Sequence, residues 1–460
     1  MIEIRDRAVA AEATAYPGAG SLVVTATRAR AVPIVLIAVV AISTMAYSLF
    51  WGPVVLHRPD WIVKADIWGT LRTSQFVAWG NIGGVYSSGG GLVSLPGISV
   101  ALAPVALLVN HIGLLTSFPI GIPHPTAWLV LGPYQAILGA LVLIPLDSLA
   151  EELGIGGRAR LASTICEAII LWPVVAIWGH PEDPLAMALA IWGLVGALRG
   201  RWRAVGWLWG LALVVQPMVV LMFPIVFALV PRGQRLSLAV RSVLPSAVLV
   251  SLPLLQSWGP TTRALFKQPN FPTINHATPW LIVAPVLTKA RVVKVAHAHR
   301  TVLANGTVHF GISSTRFIYG ETVAAGPGRL IAIALSVVLG YWVYRYRPNP
   351  EQIVWLCCVA LSLRCAFEAV MDPYYLWPPL ALAFVLVVRS RPRFVLAVAA
   401  STGLTLWSYR HIGAWEWFAP VVVLLTVVVL AARPVLVTEP DRPVGRSFTD
   451  LQQSAVKAPV

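Results

Sequence analysis

Apolar residues come in long runs separated by short polar connections. The runs lie at about 31–52, 127–147, 161–178, 184–198, 204–215, 218–231, 236–257, 329–344, 352–370, 374–388, 394–409 and 415–432. A helix needs about 20 apolar residues to cross a bilayer, and fewer where it is broken or re-entrant. The pattern therefore predicts an all-α, polytopic transmembrane protein of about 12 spans. The two runs around Gln216-Pro217 are short. Proline removes a helix hydrogen bond, so they read as two short helices meeting at that dipeptide. A further run, 92–115, is interrupted by Pro96, Pro104 and several glycines.

The sidedness comes from arginine. Positive residues in short loops mark the cytoplasmic face. Arg158 and Arg160, then Arg199, Arg201 and Arg203, then Arg232 and Arg235, then Arg345 and Arg347, then Arg389, Arg391 and Arg393 fall in alternate connections. The connections between them, at His180–Asp183, Gln216-Pro217 and Met371–Pro373, carry no Lys or Arg, and the Arg410–Trp415 turn carries one. The alternation predicts a multi-pass cell-membrane protein with both termini cytoplasmic. It also predicts an N-terminal tail 1–30, a membrane core 31–432 with external segments about 53–126 and 258–328, and a disordered tail 433–460. Parity keeps 92–115 from crossing alone, so that segment reads as part of an outer-face re-entrant or interfacial helix pair.

Composition agrees. Of 460 residues 57% are hydrophobic and 12% charged, about half the charged share of a soluble protein, which is roughly 25%. The mean hydropathy of +0.76 excludes a soluble enzyme and a disordered chain. The net charge of +15 is what loop orientation requires, with no need for nucleic acid. Four cysteines inside apolar runs suggest neither disulfide nor zinc. There is no P-loop, GxSxG or HExxH.

Acidic residues are scarce, so their positions carry information. Asp66 follows the first span in a stretch that reads as an outer-face helix reaching Trp79-Gly80. There it either serves chemistry or complements the helix dipole. Gly179-His-Pro-Glu-Asp-Pro184 opens another helix. Asp183 suits an N-cap, which leaves His180 and Glu182 to explain. The 256–280 segment offers Lys267, Asn275 and His276 as partners for sugar hydroxyls or phosphate, or is simply a polar loop. Arg364 and Glu368, one turn apart on a predicted helix, precede Asp372-Pro-Tyr374-Tyr375. They are intramembrane charges of the functional kind or a structural pair. Glu167 lies within a span.

This order of features resembles the membrane-embedded GT-C glycosyltransferases. It is similar in particular to the actinobacterial polyprenyl-phosphomannose-dependent mannosyltransferases of glycosyltransferase family 87. The shared features are one span, an outer-face Asp66 with Gly80 and Tyr86 downstream, His180-Pro-Glu-Asp183, an arginine-rich turn, Gln216-Pro217 and Asp372-Pro-Tyr-Tyr375, spread over about 31–432. Gln216 stands where many relatives carry lysine, and Glu182-Asp183 where a single Asp is common. The resemblance implies inverting transfer of a sugar, mannose in the relatives, from a polyprenyl-phosphate donor to a lipid or glycan acceptor of the cell envelope, on the outer face. It implies Asp66 as the base. Glu182, Asp183, His180, Arg72, Lys267, Asn275, His276, Tyr374 and Tyr375 are the expected substrate contacts, and Lys64 and Arg263 are further cations for phosphate. No cofactor is required by the sequence; a divalent cation on Glu182 and Asp183 is compatible with their chemistry. Besides donor and acceptor, the expected partners are membrane lipids and no nucleic acid. The alternative readings are a transporter or flippase of a lipid-linked or anionic solute, and a noncatalytic subunit with the same fold.

Overall fold

The computed structural model describes residues 30–51, 65–86, 92, 94–113, 127–270, 276–302, 308–323, 327–410 and 412–434. Side chains of Ala65, Asp66, Trp68 and of most of the long strands lie outside that description, as do both tails and Asn275.

The chain is mostly helical. In order come α1 (Ala31–Phe50), α2 (Ala65–Ala78), α3 (Gly97–His111), α4 (Trp128–Ala140), α5 (Leu143–Glu152), α6 (Gly157–Pro173), α7 (Glu182–Leu198), α8 (Trp202–Val215), α9 (Phe223–Leu229), α10 (Arg235–Gln256) and α11 (Trp258–Phe266). After the strands follow α12 (Pro327–Tyr346), α13 (Pro350–Phe367), α14 (Trp377–Val387), α15 (Arg391–Ser408) and α16 (Ala414–Ala431). Each of the predicted apolar runs is helical. Among the described residues, seven helical stretches are long and apolar enough to cross a membrane, α4 and α5 counting as one. The architecture is that of a helical membrane protein.

The all-α expectation needs one correction. The predicted external segment 258–328 holds β1 (Lys267–Asn270), β3 (Val286–Val302) and β4 (Val308–Val323) in an antiparallel sheet of order β1-β4-β3. Valine and threonine recur through Val286–Val302, and such β-branched residues favour a pleated ribbon over a helix. A second, two-residue pairing joins β2 (His276–Ala277) to β5 (Val370–Met371).

The described part of the other segment predicted to be external holds a helix pair. Ile67 and Leu71 of α2 pack with Ile98, Leu102 and Val105 of α3 in a fully buried cluster. Thr73 and Ser99 share a 2.6 Å hydroxyl bond inside it. A Cβ on Gly97 would stand 2.5 Å from the carbonyl oxygen of Val214, so only glycine lets α3 seat against the end of α8. Gly83 N–H donates to Gln256 Oε1 at 2.6 Å and moors the segment after α2 to the end of α10.

The arginine-rich connections meet at one end of the bundle. Arg160 pairs with Asp147 of α5 at 2.5 Å and Arg199 with Glu152 at 2.6 Å. Arg389 reaches both Glu351, at 3.0 Å, and the Leu153 carbonyl. The alternation read from the sequence is thus realised as two chemically distinct ends.

Helices α8 and α10 touch through Gly206 and Gly210, one turn apart. A Cβ at Gly206 would lie 2.9 Å from Arg241 Cβ, and one at Gly210 would lie 2.6 Å from the Arg241 carbonyl oxygen. Small residues four apart let helices approach in lipid, where dispersion replaces the hydrophobic drive. Gly210→Val is therefore expected to destabilise the fold by about 1–3 kcal/mol through overpacking. Thermal unfolding in detergent checks this, and an unchanged midpoint would contradict the close contact.

Candidate functional site

The arginine-poor connections meet at the opposite end. Helix α6 finishes in a wide turn through Trp178, and Gly179 takes a left-handed φ of +68°. That conformation, cheap for glycine, turns the chain so that His180 and Pro181 lead into α7. Glu182 and Asp183 then fill the first turn of α7, where acids complement the helix dipole. His180 Nδ1 lies 2.5 Å from Glu182 Oε1. Its ring stacks on Tyr374 at 4.0 Å. Tyr374 donates to Asp372 Oδ2 at 3.2 Å and neighbours Trp178 at 5.6 Å. Trp178 stacks on Tyr409 and donates to its phenol oxygen at 3.0 Å. The turns at His180–Asp183 and Met371–Pro373 meet in this cluster, with Tyr409 just before the Arg410–Trp415 turn.

Asp183 is fully buried. Gln216, extended between α8 and the short 3₁₀ turn Pro217–Leu221, donates its amide to Asp183 Oδ1 at 2.6 Å. The other oxygen, Oδ2, has no hydrogen-bond partner among the described residues, and neither does Glu182 Oε2. Asp183 does not cap its helix, since Pro181 occupies that position and makes no side-chain cap bond. Buried carboxylate oxygens are nearly always satisfied. Two unsatisfied ones at one helix start therefore leave acceptors open to donors beyond the described residues.

The cations come from α12 and α13. Arg364 lies over the Tyr375 ring at 3.6 Å, with Nη1 3.3 Å from Met218 Sδ and Nε 3.5 Å from Glu368 Oε2. Arg329 closes on Glu368 Oε1 at 2.7 Å. That approach depends on Gly328, where a Cβ would stand 1.8 Å from the Phe367 carbonyl oxygen. Asp183 and Arg364 are within electrostatic reach of each other. Glu182, Asp183, Glu368 and Asp372 thus face Arg329, Arg364 and His180. Stacked rings, open carboxylate oxygens and a largely buried guanidinium are the groups that bind sugar faces, hydroxyls and phosphate oxygens.

The structure brings together His180, Glu182, Asp183, Tyr374 and Tyr375. His276 is one layer away: its strand pairs with Met371, beside Asp372, while its buried ring stacks on Trp417 at 4.2 Å. Lys267 begins β1 opposite Val323. Arg72 is exposed on α2. Asp66 sits in the first turn of α2, its side chain outside the described residues. Tyr86 donates to the Ser94 carbonyl at 2.7 Å, and burial raises its phenol above the ordinary range. Gln216, Arg329, Trp178 and Tyr409 join the site without having been proposed as contacts. Of these, Gln216 has a local signal in the sequence, the proline that follows it. Among the described residues, no three His, Cys, Asp or Glu are grouped to hold a metal ion. No family model matches the chain, and no curated protein matches it.

Proposed function

We propose that this protein is a GT-C-type membrane glycosyltransferase, crossing the cell membrane about 12 times with both ends of its core in the cytoplasm. It moves a sugar, mannose by resemblance, from polyprenyl phosphate to a lipid or glycan acceptor at the outer face. The observation that carries this reading is the meeting of ring stack, open carboxylates and Arg364 where the arginine-poor turns converge. In the proposed step an acceptor hydroxyl gives its proton to the Asp66 carboxylate. Its oxygen forms the new bond to the anomeric carbon from the face opposite the phosphate. The carbon–oxygen bond to phosphate breaks, and the electron pair leaves with polyprenyl phosphate. General-base help of this kind is worth about 10²–10⁴-fold. Arg364, with Arg329 behind Glu368, offers the counter-charge for that leaving group, in the role that lysine would take at position 216 in relatives. Glu182 Oε2 and Asp183 Oδ2 accept from hydroxyls, and the His180–Tyr374 stack supports a sugar face.

A transporter is the second reading. It is favoured by Glu167, which is fully buried within α6 with neither carboxylate oxygen bonded among the described residues. Intramembrane carboxyls mark solute or proton paths in transporters. Product chemistry separates the two. The purified chain, given radiolabelled polyprenyl-phosphate sugars and a membrane lipid extract, is expected to make a labelled glycosylated acceptor. Glu182→Gln and Asp183→Asn are each expected to reduce that label by about tenfold or more, the usual scale for a lost charged hydrogen bond. Label crossing a vesicle membrane with no new glycosidic bond would overturn the transferase.

A further inference from the structure

At the end of α7 opposite the candidate site, the chain turns through Gly200 (φ +71°) into α8. A recess of ≈ 520 Å³ opens there, lined by Gly200, Arg201, Trp202, Arg203, Trp207 and Gln234. Part of the basic end of the bundle is knitted together by ion pairs: Arg160 to Asp147, Arg199 to Glu152, Arg389 to Glu351. Arg201 and Arg203 stand outside those pairs, as do Arg158 and Arg391, but only Arg201 and Arg203 line the recess. Both are exposed, and neither has an acidic partner among the described residues. Two unneutralised guanidiniums in one recess leave a positive field that an anion would complete.

The helix below the recess says which anion. Arg203, Trp207 and Leu211 are spaced by four and so share one face of α8. Trp207 is 42% exposed and Leu211 44%. From the helix start inward, that face runs from cation to indole to aliphatic. The same order is met by a phospholipid: phosphate at the surface, glycerol and carbonyls at indole depth, acyl chain beyond. A soluble phosphate would use only the arginines.

We propose that the Arg201–Arg203 recess is a binding site for an anionic phospholipid. The headgroup phosphate is held by the two guanidiniums, whose planar forks match phosphate oxygens, and one acyl chain lies along Trp207 and Leu211. The site lies at the far end of α7 from Glu182 and Asp183, and it requires only that the bundle is embedded in a bilayer.

Native mass spectrometry of the detergent-solubilised full chain tests this, with phosphatidylglycerol, phosphatidylcholine of the same acyl chains, and inorganic phosphate as probes. The wild type is expected to prefer phosphatidylglycerol by about tenfold or more, since each basic residue near a phosphate contributes substantially. The double variant Arg201→Gln/Arg203→Gln loses that preference. Arg158→Gln/Arg391→Gln, at the same end of the bundle but outside the recess, keeps it. If the double variant does not fold, Arg203→Gln alone is expected to weaken phosphatidylglycerol about fivefold. Equal affinity for the two lipids, displacement of the lipid by phosphate alone, an unchanged affinity in the recess variants or an equal loss in the control pair would each overturn the proposal.

Discussion

Asp66→Asn is expected to leave the protein folded and inserted while lowering sugar transfer by about 10²–10⁴-fold. The asparagine amide has the shape of the carboxylate but cannot take the acceptor's proton. The helix that carries Asp66 is held independently of it, through Ile67, Leu71 and the Thr73–Ser99 bond. Loss of the negative charge at the start of α2 removes a dipole interaction of only about 0.3–1 kcal/mol. The two roles for Asp66 therefore separate cleanly. As a base, it costs orders of magnitude in rate and little stability; as a helix-dipole partner, it costs stability alone. Initial rates with a polyprenyl-phosphate sugar, normalised to folded protein by size-exclusion chromatography, make the comparison. Near-normal transfer by well-folded Asp66→Asn protein returns Asp66 to the dipole role.

Glu368→Gln is expected to be the most destabilising single-atom-scale change in the described core. Glu368 is 4% exposed and answers two arginines, Arg329 at 2.7 Å and Arg364 at 3.5 Å. Gln is isosteric but neutral, so Arg364, only 13% exposed, loses its ion-pair partner and keeps only Asp183 as a negative charge within reach. Breaking a buried pair from one side costs about 3–5 kcal/mol. Arg329 is about one-third exposed and water screens its share, so about 3 kcal/mol is the expectation. Thermal unfolding of the detergent-solubilised protein measures it. Glu416→Gln, at an exposed site, is the control and should stay within about 0.5 kcal/mol. If both variants melt alike, the Arg329–Glu368–Arg364 bridge contributes nothing to stability.

Much of this was legible in the sequence because apolar runs and proline report on single segments. The broken helix at Gln216-Pro217 falls where proline chemistry puts it, whereas α7 starts at Glu182, two residues before the start that a cap at Asp183 would give. The Arg364–Glu368 pair follows from a spacing of four, and the two-ended bundle from alternating arginines. What was not legible depends on how helices rotate against each other. Gln216 meets Asp183 across 33 residues, and Arg329 meets Glu368 across 39. His180 meets Tyr374 only because the turns after α6 and α13 share an end. No period encodes such partners; close contacts at Gly97, Gly210 and Gly328 fix them. The ribbon was missed because an external segment was read by what it lacks, a long apolar run, rather than by its β-branched residues.

The strand order β1-β4-β3 also sets a schedule. The central strand is made last, so Lys267–Asn270 waits for Val308–Val323 while the intervening chain is still being synthesised. At about 5–20 residues per second, β1 stays without its partner strand for a few seconds. In the finished sheet, β1 and β3 are both outer edges. Open edges invite pairing with other chains, and proline and basic residues discourage it. Pro269 interrupts β1, and Lys289, Arg291, Lys294 and Arg300 are spread along β3. The ribbon thus carries its own protection against mispairing, both during synthesis and after it.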